Sequence, residues 1–194
     1  MSFHEKRYNE SISFLSYASQ YEKNNADINF LFAKNYLQLE KLDDAEYYFK
    51  ETIRFNSLKK QAYLYLGHLY LIKNNPKRAN FYYDVLLTFN PKHFEGNLYR
   101  GIASYLSKEY QNAVDFLTVA NALQANNYKA KYQLSKSLIK VKAFGKAYSI
   151  LLELNKEKPT DNRIYYMLLK TAKALKKRKK VKEYKSVIKA IENK

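Results

Sequence analysis

The side chains that could perform acid–base, nucleophilic or metal chemistry are few and scattered. The three histidines, His4, His68 and His93, lie far apart, and the chain has no cysteine. A histidine zinc site typically needs two ligands at a spacing such as i, i+4, and a thiolate nucleophile needs cysteine. The sequence also has no glycine-rich phosphate-binding loop of the GxxxxGK or GxGxxG type. We therefore expect no catalytic site, no metal site and no cofactor.

Lysine and tyrosine are the abundant functional residues, and they suit recognition. Lysines and arginines number 35 against 18 acidic residues, a net charge of +17, and tyrosines number 20. Residues 1–127 carry 15 basic and 13 acidic side chains, whereas residues 128–194 carry 20 and 5. A basic surface attracts acidic partners, so the C-terminal third is either a binding region or a product of composition. The basic run 176–180 is either a solvated turn or a functional element, namely a contact with anionic lipid, a contact with RNA or a signal like those for nuclear import.

The compartment is indicated only by the absence of three signals. The first eleven residues, MSFHEKRYNES, lack the apolar core of a signal peptide. No stretch approaches the roughly 18 uncharged apolar residues that cross a membrane. The lack of cysteine fits a reducing compartment. We therefore expect a cytoplasmic protein without a membrane span.

The elements that position these side chains recur every 34 residues. In residues 60–93, large apolar residues flank Gly67 in a first helical pattern and Ala79 in a second, with a polar break between them. Large and small residues at such offsets indicate two antiparallel helices that approach closely at the small residues. The small residue of the first helix recurs as Ala33, Gly67, Gly101 and Ser135, and that of the second as Ala45, Ala79, Ala113 and Ala147.

This pattern resembles the tetratricopeptide repeat, a helix-turn-helix unit of 34 residues. The resemblance implies an all-α, right-handed α–α superhelical solenoid of about eleven helices, forming a single domain over residues 1–194. Its register gives a half repeat at 1–25, full repeats at 26–59, 60–93, 94–127 and 128–161, and a degenerate repeat at 162–194 that ends in a capping helix.

The resemblance also implies a concave groove lined by the first helices. Carried over by register, the apolar and aromatic half of this groove comprises Phe30, Lys34, Leu37, Leu64, His68, Leu71, Leu98, Ile102 and Tyr105. The basic and aromatic half comprises Lys129, Tyr132, Lys136, Lys140, Arg163, Tyr166, Lys170 and Lys173. The alternative for Leu64, Leu98 and Ile102 is packing against a neighbouring helix. We interpret His68 as a hydrogen-bonding group of the groove.

The implied function is a non-catalytic scaffold or adaptor for protein–protein interaction. Its groove would bind a partner peptide or helix that carries an apolar stretch and acidic residues. The alternative is a nucleic-acid-binding protein that uses the basic C-terminal third, with Tyr132 and Tyr166 as stacking platforms for bases.

The half repeat at 1–25 lacks a first helix that would cover its aromatic residues. Phe14, Tyr17 and Tyr21 lie on the side where that helix would pack. They fold back on the next repeat, or form a contact surface for a partner or for a second copy of the chain, or mark a truncation.

Overall fold

The computed structural model describes residues 3–57 and 59–193. Residues 1, 2, 58 and 194, which belong to the predicted repeats 1–25, 26–59 and 162–194, lie outside the described residues. Within the described ranges the chain forms eleven α-helices and no strand, which confirms the predicted all-α class. The helices are α1 (Phe3–Tyr21), α2 (Ala26–Gln38), α3 (Leu42–Phe55), α4 (Lys60–Ile72), α5 (Pro76–Phe89), α6 (Phe94–Leu106), α7 (Tyr110–Leu123), α8 (Tyr128–Lys140), α9 (Phe144–Glu157), α10 (Asn162–Ala174) and α11 (Arg178–Glu192).

The helix boundaries follow the predicted period. The first helices α2, α4, α6, α8 and α10 begin at residues 26, 60, 94, 128 and 162, at intervals of 34 residues. The second helices α3, α5, α7, α9 and α11 begin at 42, 76, 110, 144 and 178, again 34 residues apart. Helix α1 ends at residue 21, which is 34 residues before the end of α3, so it lies at the register position of a second helix.

Side-chain caps define where most first helices begin. In four of them the side chain before the helix accepts a hydrogen bond from a backbone N–H of the first turn; these residues are Asn25, His93, Asn127 and Asp161. These caps satisfy donors that have no partner inside the helix. Helix α5 instead begins with Pro76, whose missing N–H is not needed at this position.

The turn inside each repeat passes through a residue with positive φ that is not glycine. These residues recur every 34 positions as Glu40, Asn74, Lys108, Lys142 and Lys176, with φ between 53° and 64°. The N–H of the next residue then donates to a carbonyl five residues back, as from Glu109 to Ser104 at 2.9 Å. This is the Schellman arrangement, which satisfies the last carbonyls of the first helix.

The contacts within the chain group it into two compact units, residues 1–91 (unit 1) and 92–194 (unit 2). The four alanines of the second helices, Ala45, Ala79, Ala113 and Ala147, are fully buried. Gly67 packs directly against Tyr83 in unit 1, and Gly101 packs against Leu117 in unit 2. In these two repeats the helices therefore approach at the predicted small residues.

Candidate functional site

Three first helices of unit 2 surround a cavity of about 370 Å³, which we call the Lys136 groove. Helix α6 contributes one lining residue, and α8 and α10 contribute four each, because residues at the same register position of successive repeats face the same side. The lining residues are four cations, three tyrosines and two aliphatic side chains: Lys136, Lys140, Arg163, Lys170, Tyr105, Tyr132, Tyr166, Ile139 and Met167. None of these residues is acidic.

Lys136 lies at the centre of this arrangement. Its ammonium group is 4.6 Å from the ring centroid of Tyr105 and 5.7 Å from that of Tyr132. Burial, and secondarily the charge of Lys140, lower the pKa of Lys136. The tyrosine rings partly replace its lost hydration through cation–π attraction. The cation is therefore half-buried and held between two rings.

Lysines of the Lys136 groove lack acidic partners in the described part of the chain. Lys136, Lys140 and Lys170 form no ion pair with any described carboxylate, whereas Lys131 on the other side of α8 pairs with Glu153 and Glu157. Glu153 and Glu157 therefore neutralise a lysine outside the groove. The groove keeps a concentration of positive charge that is available to an anion.

Arg163 differs from these lysines because its charge is already paired. Its Nη2 and Nε donate to the carboxylate of Asp161 at 2.7 and 2.9 Å, and its guanidinium lies 5.4 Å from the Tyr132 ring centroid. The hydroxyl of Tyr128 donates to the same carboxylate at 2.9 Å. The hydrogen bond from Arg163 lowers the pKa of Asp161 to about 2. Burial, and secondarily the hydrogen bond from Tyr128 to Asp161, raise the pKa of Tyr128 to about 12.

This network was not predicted from the sequence. The sequence does place Asp161 immediately before α10, at a position where aspartate commonly caps a helix. There its side chain accepts a hydrogen bond from the backbone N–H of Arg163, the second residue of the helix. We conclude that Arg163 orients the wall of the Lys136 groove and contributes less free charge than the lysines.

A second cavity of about 380 Å³ continues from the Lys136 groove, since both are lined by Tyr166 and Lys170. Its other lining residues are mostly apolar: Phe144, Leu169, Ala174 and the stem of Lys173. Tyr166 is largely exposed and donates a hydrogen bond to Glu192. Lys173 also borders a third concave surface, of about 500 Å³, formed with Lys176, Arg178, Val181, Lys182 and Lys185.

The remaining predicted site residues of unit 2 lie at different depths. Lys129 is exposed, and its ammonium lies 4.4 Å from the ring centroid of Tyr99 and 3.0 Å from its hydroxyl oxygen. Leu98 is buried in the core of unit 2, and Ile102 is half-buried against it. Leu98 therefore packs into the core, in line with the alternative that it contacts a neighbouring helix and does not face the groove.

The predicted site residues of unit 1 are more deeply buried. Phe30 and Leu64 are buried, and the Phe30 ring contacts Phe49 and Tyr65 edge-on. Lys34 is exposed beside the Phe30 ring, at 6.0 Å from its centroid. The other three, Leu37, His68 and Leu71, are half-buried.

One of the two stacking platforms that the nucleic-acid alternative needs is already occupied, whereas the other, Tyr166, is exposed. Tyr132 stacks on Tyr128, with ring centroids 6.3 Å apart and planes at 8°. The cationic groups of Lys136 and Arg163 also lie against its ring. A nucleic acid base stacks on an open aromatic face, and Tyr132 offers little of one.

Two other classes of site find no support in the parts of the chain that the structure describes. Residues 3–57 and 59–193 contain no cluster of three or more histidine, aspartate or glutamate side chains that could hold a metal ion. No helix in these ranges combines the length and the apolar character that a membrane crossing requires.

Known structures share the arrangement of helices described above, although the chain matches no protein-family model. YrrB, described as a TPR protein with an unusual peptide-binding site, superposes with a TM-score of 0.85 over 91% of both chains, at 19% identity. Residues 41 to the end of MamA from Desulfovibrio magneticus RS-1 superpose with a TM-score of 0.79, at 18% identity, over 87% of this chain and 95% of that one. The fold is a tetratricopeptide repeat solenoid.

A relative found by its sequence is anaphase-promoting complex subunit 3 of Schizosaccharomyces pombe. It is 25% identical to this chain over 139 residues, which are 72% of this chain and 21% of that protein. The chain therefore spans about a fifth of the length of this relative. The tetratricopeptide repeat fold accounts for the 34-residue register and for the first helices that converge on the Lys136 groove.

Proposed function

We propose that this chain is a non-catalytic protein-interaction scaffold that binds an acidic segment of a partner protein in the Lys136 groove. One observation carries the proposal: lysines, tyrosines and aliphatic side chains from three successive repeats converge on one cavity that contains no carboxylate. A partner carboxylate would supply the missing countercharge.

The central charge gives the groove its preference for anions. A half-buried cation without a paired anion has lost part of its hydration and is costly to keep charged. A carboxylate placed beside Lys136 would offset this cost, and Lys140 and Lys170 would hold neighbouring carboxylates. Because lysine acts as a point charge, the groove would accept aspartate or glutamate in several orientations.

The apolar part of the groove selects what accompanies the acidic residues. Ile139 and Met167 line the groove together with the half-buried Tyr105 and the exposed Tyr166. They would bury an aliphatic or aromatic side chain of the same segment. The partner is therefore an extended peptide or a helix in which acidic residues adjoin an apolar residue.

The similar proteins support a protein partner. YrrB is described as having a peptide-binding site, and the curated relative is a subunit of a multiprotein complex. For unit 1 we propose a weaker contact surface at the exposed Lys34 and the half-buried Leu37, His68 and Leu71.

The test is a titration of the protein against a fluorescent synthetic peptide with a phenylalanine and leucine half followed by a glutamate half. The double variant Lys136→Gln with Lys170→Gln should bind at least about tenfold more weakly, a loss of roughly 1.4 kcal/mol. The matched control is Lys146→Gln with Lys156→Gln, which removes the same charge from exposed positions of α9. This control should bind the peptide nearly as well as the wild type.

Three results would contradict the proposal. An equal loss in both double variants would mean that binding follows net charge and not the groove. Unchanged affinity for a peptide with glutamine in place of glutamate would remove the acidic preference. Tight binding of a single-stranded oligonucleotide, with log K falling by about 0.7 per phosphate contact per unit log salt and lost in the groove variant, would favour the nucleic-acid alternative.

A further inference from the structure

The lysines of the Lys136 groove are concentrated in one small space. Lys136 and Lys140 lie one turn apart on α8, so their Cβ atoms are about 5–6 Å from each other. Lys170 holds the register position of Lys136 one repeat later, and all three line the same cavity of about 370 Å³, which no acidic residue lines. The charge of Lys140, after burial, lowers the pKa of Lys136. A ligand with more than one negative charge in a single group would relieve this repulsion between neighbouring cations.

The donors that the groove leaves for a ligand are lysines, since its one arginine is already engaged. The Nε and Nη2 atoms of Arg163 donate to the two carboxylate oxygens of Asp161 at 2.9 and 2.7 Å. The planar fork of arginine is the group that pairs bidentately with a carboxylate, whereas the ammonium of lysine is a point charge that binds phosphate without such a fork. Three lysines around one cavity therefore suit a tetrahedral anion that accepts hydrogen bonds from several directions.

We propose that the partner segment carries a phosphoserine whose phosphate lies among Lys136, Lys140 and Lys170, so that phosphorylation of the partner strengthens its binding. This inference rests on the proposed function, because it concerns the same groove and the same kind of partner. A phosphate monoester carries a charge of about −1.5 to −2 at pH 7 and has three strong acceptor oxygens. One phosphate group therefore offsets two lysines, where one glutamate offsets a single lysine.

Lys136 would make the central contact, because its position is fixed before the ligand arrives. Its ammonium lies 4.6 Å from the ring centroid of Tyr105 and 5.7 Å from that of Tyr132. A side chain that is already held in place loses less conformational entropy when a ligand binds. Lys136 is also half-buried, so it has given up part of its hydration and gains more from a hydrogen-bonded anion than a fully hydrated lysine does.

The same groove favours a phosphorylated peptide over the phosphates of a nucleic acid. Each phosphate of a nucleic acid is a diester with a single charge, so it offsets one lysine and not two. Ile139 and Met167 line the cavity beside the lysines. These aliphatic side chains suit an apolar residue next to the phosphoserine, and a sugar–phosphate backbone has no such group to bury.

The inference is tested with three versions of the fluorescent peptide, which carry serine, glutamate or phosphoserine at one position of the acidic half. The phosphoserine peptide should bind wild type at least about tenfold more tightly than the glutamate peptide, because it makes a further charge-assisted hydrogen bond. In Lys136→Gln with Lys170→Gln the two peptides should bind with nearly equal affinity. The matched control, Lys146→Gln with Lys156→Gln, should keep the full advantage of phosphoserine.

A pair of tyrosine variants tests whether Lys136 is held by its neighbouring ring. Tyr105→Leu should weaken binding of the phosphoserine peptide by about two- to fivefold, because the cation–π contact is lost. Tyr17→Leu on α1 is the matched control and should bind as wild type does. Phe14, Tyr17 and Tyr21 are 77%, 62% and 72% exposed, so they do not fold back on the next repeat, as the first alternative for these residues required. Equal effects of the two variants would contradict the central role of Lys136.

Two outcomes would overturn the inference and leave the proposed function standing. The first is equal affinity of wild type for the phosphoserine and glutamate peptides, with both weakened in the groove double variant. The second is an advantage of phosphoserine that persists in this double variant, which would place the phosphate outside the groove. Failure of wild type to bind any of the three peptides would instead contradict the proposed function and the inference together.

Competition experiments distinguish the source of the phosphate. Free O-phosphoserine and a single-stranded oligonucleotide should each displace the phosphoserine peptide only at much higher concentration than the unlabelled peptide does. Displacement by free O-phosphoserine at the same concentration would show a site for a small phosphate compound. Displacement by the oligonucleotide at the same concentration would show a nucleic-acid site, and either result would overturn the inference.

Discussion

Replacing two helical glycines with alanine should change stability in opposite directions. A Cβ atom added to Gly67 would overlap three carbons of the Tyr83 ring, the farthest of them at 2.8 Å. Tyr83 is fully buried in the core of unit 1, so its ring has no free space into which to move. A Cβ atom added to Gly145 on α9 would meet no atom within 4 Å.

The expected magnitudes follow from two competing effects. Alanine is favoured over glycine in a helix interior by about 1 kcal/mol. At Gly67 this gain is outweighed by overpacking against Tyr83, which typically costs about 1–3 kcal/mol. Gly67→Ala should therefore lower the free energy of unfolding by about 1 kcal/mol, whereas Gly145→Ala should raise it by up to about 1 kcal/mol.

Urea denaturation followed by circular dichroism measures both changes. With a slope of about 2 kcal/mol per molar urea, the midpoints of the two variants should differ by about 1 M. Gly67→Leu should lower the midpoint further, because its side chain is larger. An increase in midpoint for Gly67→Ala equal to that for Gly145→Ala would refute the close helix contact and the register that predicts it.

Two further predictions concern the turns and the pH dependence of stability. Lys108→Gly should stabilise the protein by up to about 1 kcal/mol, because glycine adopts a positive φ without strain, and the melting temperature should rise. Lys146→Gly inside α9 should destabilise it by a similar amount and lower the melting temperature. Equal effects of the two changes would contradict the turn geometry. Burial alone raises the pKa of Glu46, but hydrogen bonds from Lys50, Lys73 and Tyr70 lower it to about 2. The stabilising contribution of Glu46 is therefore complete above its unfolded pKa and is lost as the pH falls toward 2. In Glu46→Gln the free energy of unfolding should fall less steeply between about pH 5 and 2 than in wild type. Urea titrations at several pH values measure this, and an unchanged pH dependence would argue against this network.

The register could be predicted from the sequence because it depends on residue size. A glycine or alanine where two helices meet, with large residues on either side, is constrained by packing at every repeat. Gly67 and Gly101 show why, since each abuts a large buried side chain of the second helix. The place of α1 in the register of the second helices follows from the same spacing.

Accessibility within the first helices could not be predicted in the same way. Leu64 and Leu98 hold groove positions by register, yet both are buried. An apolar residue there faces the groove or the neighbouring helix after a small rotation of its own helix, and residue type does not distinguish the two. Lysines on the same face are easier to place because a charge is seldom buried without a partner.

Individual polar contacts were also beyond the sequence. Arg100 occupies a core position, where its guanidinium lies 4.6 Å from the Phe116 ring centroid and donates to Ser104. The register places Arg100 where the repeat family prefers an apolar residue, but it does not show which groups the guanidinium contacts. The pairing of Arg163 with Asp161 is likewise a matter of local cap geometry. The positive φ at Lys108 and Lys142 could not be predicted from their residue type, because glycine is the usual residue at such a position.

The most direct measurement of the central proposal follows the methyl group of Met167. The chain has two methionines, and Met167 lines the Lys136 groove while the other is the first residue. In protein labelled with ¹³C-methyl methionine, titration with the apolar and glutamate peptide should shift the Met167 resonance in wild type. In Lys136→Gln with Lys170→Gln the same shift should require at least about tenfold more peptide. A peptide that binds wild type without moving the Met167 resonance would place the binding site outside the groove and contradict the proposal.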